Sequence, residues 1–242
     1  MSIFYKLKVL FDDNHDYLNE LISHNDFVKK MPELLKRHKA IHLRPIEYNE
    51  NLLDNFDENH FCQNVLDCNL EEFKYVGGAA PRKLIKVEQN KDVIFTSNEA
   101  PADKIIPFHH ELGQTDNPPA YIAFYCKKNA LKFGETPLMD SSLIYRYINE
   151  NHQEFEEKLR TYGVRYRRVL PSEDDKESPL GRSWKNTYNV ESKDELEDIL
   201  DYKKGVEYSW LDGNNLEVIS DILPAIFYNE ETHEHEFYNS II

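Results

Sequence analysis

Three things are scarce in this sequence, and each scarcity excludes a class of protein. Cysteine occurs only three times, as Cys62, Cys68 and Cys126. An odd number at these spacings fits neither a zinc-ligand motif nor a disulfide framework, so free thiols in a reducing compartment are expected. Positive charge is also short: 29 lysines and arginines face 44 acidic residues, a formal charge of −15. Nucleic acids and anionic bilayers are recognised by concentrated positive charge, so the expectation is no nucleic-acid and no membrane partner. Long apolar runs are missing. Nothing approaches the ~20 residues that span a bilayer, and the opening MSIFYKLKVLFDDN has too short an apolar stretch for a signal peptide. The expected location is the cytoplasm.

What is present suits a folded enzyme-sized chain. Of 242 residues, 40% are hydrophobic and 30% charged, enough for a core beneath a polar surface. No repeat, low-complexity tract or Gly/Ser-rich linker divides the chain, so a single domain over 1–242 is expected. Residues 14–38 carry a helical apolar stripe and read as one helix or two. KAIHLRPI reads as a buried strand, FDENHFCQNVLD as a helical patch, and VGGAAPR as a loop, since Gly-Gly and Pro break regular structure. VIFTS, IIPFHHE and AYIAFYC are strand-like. SSLIYRYINENHQEFEEKLRTY reads as one helix, with Ser141 or Ser142 as N-cap and Asp140 near its positive end. GVRYRRVL alternates as a strand does. SKDELEDILDYKK is a helix with a serine start, and VEYSWL, LEVI, LPAIFY and HEFYN are short strands. The pattern predicts an α+β protein, mostly β, built as a sandwich or barrel.

The stretch IIPFHHELGQ at 105–114 concentrates chemistry. On a strand, His109 and Glu111 project from one face and His110 from the other. An imidazole and a carboxylate on one face present two donors to a single metal ion. The alternative is a strand-end pair in solvent.

Six segments together resemble the taurine dioxygenase-like family of iron- and 2-oxoglutarate-dependent oxygenases, in its clavaminate synthase-like branch. They are GGAAPR at 77–82, IPFHHE at 106–111, FYC at 124–126, GETP at 134–137, PLGRSWKNTY at 179–188 and FYNS at 237–240. The resemblance implies a double-stranded β-helix (jelly roll) with flanking helices, about 1–75 forming the N-terminal part and 76–242 the barrel core. It implies Fe(II) held by two histidines and a carboxylate, His109 and Glu111 being two of these three metal ligands, with His110 packing behind them. It implies 2-oxoglutarate as co-substrate, decarboxylated to succinate while a small-molecule substrate is oxidised. Thr136 then corresponds to the hydroxyl that holds the 2-oxoglutarate carboxylate, although Phe133 stands where a glycine is usual. Asn239 and Trp184 are candidates for the substrate pocket, Asn239 being equally readable as a strand-end amide and Trp184 more often simply core. Arg82 is a candidate partner for an anionic substrate, or a surface arginine.

The family's second histidine and its co-substrate arginine come late, and no segment here matches them. His233 and His235 in ETHEHEFYN read as turn residues, and His152 as an exposed helix residue. The chain is therefore expected to stop before the last barrel strands. Two hypotheses follow: part of an oxygenase whose competence needs further chain, or a non-catalytic relative that acts as a binding protein. Substrate identity and oligomeric state are not legible.

Overall fold

The computed structural model describes residues 4–10, 21–46, 73–85, 94–97, 99–101, 103–230 and 232–240. Three small sheets, each antiparallel, are distributed along it. In the first, β1 (Phe4–Leu10) lies between β2 (Leu21–Ser23) and β3 (Ala40–Ile46), and α1 (His24–Arg37) connects the outer two. The expected strand KAIHLRPI is present. Of the one or two helices expected over 14–38, α1 covers His24–Arg37. Leu21 and Ile22 pair instead with Lys6 and Tyr5, so a partner strand overrides their helical spacing. Residues 11–20 and the patch at 56–67 lie outside the described residues.

The second sheet holds the main core. Its order is β4 (Arg167–Leu170), β6 (Leu216–Ile219), β5 (Glu207–Trp210). Alternation along β6 buries Leu216 and Val218. Against them pack Leu196 and Leu200, one turn apart on α5 (Lys193–Asp201), and Trp184, which opens α4 (Trp184–Tyr188). α5 starts where the sequence indicates. The Ser192 side chain accepts from the Glu195 N–H and the Glu195 carboxylate reaches back to the Ser192 N–H, which satisfies two donors the helix leaves open.

The third sheet is the hairpin β7 (Ile226–Asn229) and β8 (Glu234–Phe237), with α2 (Ser141–Asn151) packed on β8. The single helix expected over 141–162 is two. His152 leaves helical geometry at φ −139°, and α3 (Gln153–Tyr162) restarts from it. Nor is a serine the cap of α2: Asp140 is, accepting from the Ser142 N–H at 2.9 Å. A shorter carboxylate one residue earlier reaches the open N–H groups and places negative charge at the helix start.

Asp140 also accepts from Lys39 Nζ at 2.7 Å, and the same ammonium reaches Ser142 Oγ and Glu234 at 2.7 Å each. Lys39 thus ties the first sheet to α2 and β8. Burial opposes ionisation of Asp140, but the Lys39 and Ser142 bonds outweigh it and hold the carboxyl below its ordinary value. Asp140→Ala should cost about 1–3 kcal/mol at neutral pH in urea unfolding. Because the folded-state value is depressed, this contribution is present above the unfolded aspartate value of about 3.9 and is lost as pH falls through the folded one. The gap between wild type and variant should narrow in acid. A gap unchanged across that window would assign the loss to packing.

Three expected strands are not laddered. Among the described residues VIFTS contributes an isolated bridge, Leu84 to Phe95. IIPFHHE and AYIAFYC run without strand partners among the described residues, with Ile105, Phe108, Ile122 and Phe124 exposed. Their β-branched and aromatic content suits a pleated surface, but a strand exists only against a neighbour. The α+β class holds; its sheets are small and separate among the described residues.

Candidate functional site

The loop at 77–82 is the hub of the site. Gly77 takes φ +89°, a left-handed conformation open to glycine, and a Cβ there would meet Thr115 at 3.1 Å. Its N–H donates to Thr187 O at 2.9 Å. Its carbonyl accepts from Gln114 Nε2 at 3.2 Å and Arg168 Nη1 at 2.8 Å. The Thr187 hydroxyl donates to Gly78 O, and the Arg182 N–H to Ala79 O. The loop is therefore fastened to α4, to β4 and to the turn that follows His110.

That turn begins at Glu111. Leu112 adopts φ +54° and is 2% exposed; burial of its side chain offsets an unfavourable backbone. Thr115 closes the turn, both its N–H and its hydroxyl donating to Leu112 O. The segment after β8 presses on the same place. The His110 N–H donates to Asn239 O at 3.2 Å, Ser240 Oγ donates to His110 O at 2.9 Å, and a Cβ on Gly113 would meet Ser240 Oγ at 2.9 Å. The His110 ring lies 4.1 Å from that of Tyr238. Burial pushes its imidazole below the ordinary histidine value, so it is neutral at pH 7 and packs.

His109 and Glu111 occupy different surroundings. The strand that was to place them on one face is absent, and the chain turns at Glu111. His109 is exposed, with Nδ1 at 2.8 Å from Pro107 O. A carbonyl only accepts, so Nδ1 carries the proton of this hydrogen bond and Nε2 is the ring nitrogen it leaves unengaged. Glu111 is mostly buried, at 15% side-chain exposure, and pairs with Arg82 Nη2 at 2.8 Å. It also accepts from the Tyr75 hydroxyl. Tyr75 sits so close to Gly78 that a Cβ there would lie 2.2 Å from its oxygen. Gly78→Ala should therefore displace Tyr75 and cost about 1–3 kcal/mol, read as a lowered urea midpoint; an unchanged midpoint would show that the loop gives way freely.

Four separated segments, at 77–82, 106–111, 179–188 and 237–240, thus converge on one place. A family model described as "Taurine catabolism dioxygenase TauD, TfdA family" matches residues 18–205. The chain belongs to this TauD, TfdA family. It is 36% identical over 172 residues to a clavaminate synthase-like protein of Arabidopsis thaliana, covering 71% of this chain and 50% of that protein. It is 30% identical over 199 residues to the dapdiamide synthesis protein DdaC of Enterobacter agglomerans, covering 82% of this chain and 53% of that one. The chain spans about half the length of these relatives.

Within this TauD-family chain the other candidates separate clearly. Trp184 is 3% exposed in the core, edge-on to Trp210 at 5.2 Å, with its indole N–H donating to Asn214 O. It is core, and the pocket expectation does not fit its burial. Asn239 is buried beside His110. Arg82 is no surface arginine, being 13% exposed against Glu111. Thr136 lies on an exposed coil that follows Phe133 and Gly134, both at positive φ. FYC at 124–126 is likewise coil, with the Cys126 thiol exposed. His235 lies against the rings of Tyr145 and Tyr228, and His233 against the Tyr228 hydroxyl at 3.4 Å. His152 ends α2 and is exposed. Among the described residues no three His, Cys, Asp or Glu side chains form a group that could hold a metal ion. No helix among them is long and apolar enough to cross a membrane.

Sequence reasoning missed Tyr75, Arg168 and Arg182. The signal available was their type: arginines in an acidic chain, two of them inside segments already singled out as GVRYRRVL and GRSWKNTY.

Proposed function

We propose that this chain carries part of the active site of a non-haem Fe(II)- and 2-oxoglutarate-dependent dioxygenase, which hydroxylates or desaturates a small organic molecule and releases succinate and carbon dioxide. The observation that carries the reading is the hydrogen bond of His109. With Nδ1 engaged by Pro107 O on an exposed side chain, Nε2 is the ring nitrogen left for a metal ion. Glu111, two residues on, offers a carboxylate oxygen besides the one engaged by Arg82. Imidazole and carboxylate are the donor types of a ferrous facial triad, and the pair supplies two of its three protein ligands.

Iron with 2-oxoglutarate and dioxygen supplies the oxidation when bound. The chain's own residues position and shield. Pro107 O fixes the His109 ring, Arg82 and Tyr75 orient Glu111, and His110 with Tyr238 backs the segment against solvent. Thr136 would contribute its hydroxyl to the co-substrate carboxylate. On this reading the third ligand and the co-substrate arginine come from the length of the relatives that this chain does not span. The exposed apolar stretches at 105–108 and 121–124 would pair with that part to close a double-stranded β-helix around the site.

Metal titration tests the reading. The 242-residue chain should bind Co(II), a spectroscopic stand-in for Fe(II), weakly and with one ion per chain, and His109→Ala should lower that affinity at least about tenfold. It should form no succinate from 2-oxoglutarate alone; succinate that His109→Ala abolishes would show a third ligand inside the chain. A second reading, a binding protein without turnover, draws on the Arg82–Glu111 ion pair, which already satisfies the carboxylate. It expects wild type and His109→Ala to bind Co(II) equally.

A further inference from the structure

Behind Glu111 the structure gathers more positive charge than it neutralises. Arg82 and Arg182 both lie over the ring of Tyr75, their guanidinium carbons 5.0 and 5.4 Å from its centroid. Arg168 enters from β4 and lies within the field of Tyr75 and of Arg182. Each of the three has a nitrogen sealed from solvent with no acceptor: Arg82 Nε, Arg168 Nη2 and Arg182 Nη1. Among the described residues one carboxylate, Glu111, makes a hydrogen-bonded ion pair with the group, through Arg82. Asp174 offsets part of the Arg182 charge through space, its oxygens accepting from the Ser183 N–H and Asn186 Nδ2.

Guanidinium groups stay charged in proteins, so among the described residues three of them, with Glu111 in contact and Asp174 acting through space, leave an incompletely neutralised cationic cluster. Burial accordingly pushes Arg168 and Arg182 below the ordinary guanidinium value, a measure of how poorly their charge is compensated. A water molecule could accept from these N–H groups and would still leave the charge. An oxyanion does both, and the planar fork of arginine suits it.

We propose that Arg82, Arg168 and Arg182, arranged around Tyr75, form a binding site for an oxyanion, the carboxylate or phosphate group of a small organic ligand. Taken with the proposed dioxygenase, whose ligand Glu111 adjoins the cluster, the site makes the substrate anionic and anchors its charged end beside the metal. The word substrate rests on that reading; the anion site itself does not.

Calorimetric titration of the metal-stripped 242-residue chain, at low ionic strength, with sodium phosphate and separately with sodium acetate tests it. One anion should bind per chain, saturably, and the stronger of the two curves identifies the headgroup. Arg182→Gln should weaken binding by about tenfold or more, while Arg146→Gln, an exposed position on α2, should leave it within about twofold. Should Arg182→Gln fail to fold, the wild-type chain decides by NMR. The Nε–Hε resonances of Arg82, Arg168 and Arg182 should shift with the anion, and those of exposed arginines should not. Binding that does not saturate, equal weakening by both variants, or silent resonances at the three arginines would each overturn the site. Since no metal is present, anion binding without Co(II) binding would retire the iron reading and keep this one, and the reverse result would do the opposite.

Discussion

Trp184→Ala should lower the free energy of unfolding by about 3–5 kcal/mol. The indole is 3% exposed and contacts a core made by Leu170, Val190, Leu196, Leu200, Leu216 and Val218, so its removal opens a cavity between helix and sheet. Two further losses add to the cavity. The edge-to-face contact with Trp210 disappears, and Asn214 O loses the indole N–H at 3.1 Å. Against a typical total of about 5–15 kcal/mol, this is enough to leave the chain marginal at 37 °C. Trp184→Phe, which keeps a ring and drops only the N–H and some volume, should cost about 1–2 kcal/mol. Urea midpoints and the near-ultraviolet circular dichroism of the paired indoles would report both. A residue that lined a substrate pocket would behave otherwise, with a small stability change and an altered ligand response. A loss under about 1 kcal/mol for the alanine variant would remove Trp184 from the core.

What could be seen in the sequence was what is local. Ser192 and Glu195 announce the start of α5 because both halves of the cap lie within one turn. The strands β5, β6, β7 and β8 were legible as short apolar runs with polar turns between them. The break at His152 was not, since the apolar stripe continues on both sides and the interruption is one residue's backbone angle. IIPFHHE and AYIAFYC have strand composition, yet a ladder depends on a neighbour that composition does not name. The spacing of His109 and Glu111 singled out the two residues, while their surroundings came from elsewhere. Pro107 O holds Nδ1 of His109. Arg82, from a loop far away in sequence, sets the orientation of Glu111. The arginine cluster was hardest to see, because its members come from the 77–82 loop, β4 and the segment before α4, and only the folded chain brings them to one tyrosine.

That cluster makes the two halves of the Arg82–Glu111 pair unequal. In an isolated buried ion pair, removing either partner strands the other, at about 3–5 kcal/mol. Here Glu111→Gln keeps the side chain's shape and an oxygen that can still accept from Arg82, but removes the charge that pairs with Arg82, a guanidinium that also lies within the field of Arg182. It should cost about 3–5 kcal/mol in the metal-stripped chain. Arg82→Gln leaves Glu111 with the Tyr75 hydroxyl, and should cost about 1–2 kcal/mol. Thermal and urea unfolding would rank the two. Phosphate adds a second signature: an anion that binds only the folded state stabilises it by about 2.7 kcal/mol at a hundredfold excess over its Kd. Its effect should be largest in Glu111→Gln, where the cationic charge is least neutralised, and smallest in Arg82→Gln, where one guanidinium of the site is gone. Equal costs for the two substitutions, with equal responses to phosphate, would mean that Arg82 and Glu111 are a simple pair and that the neighbouring arginines do not act on it.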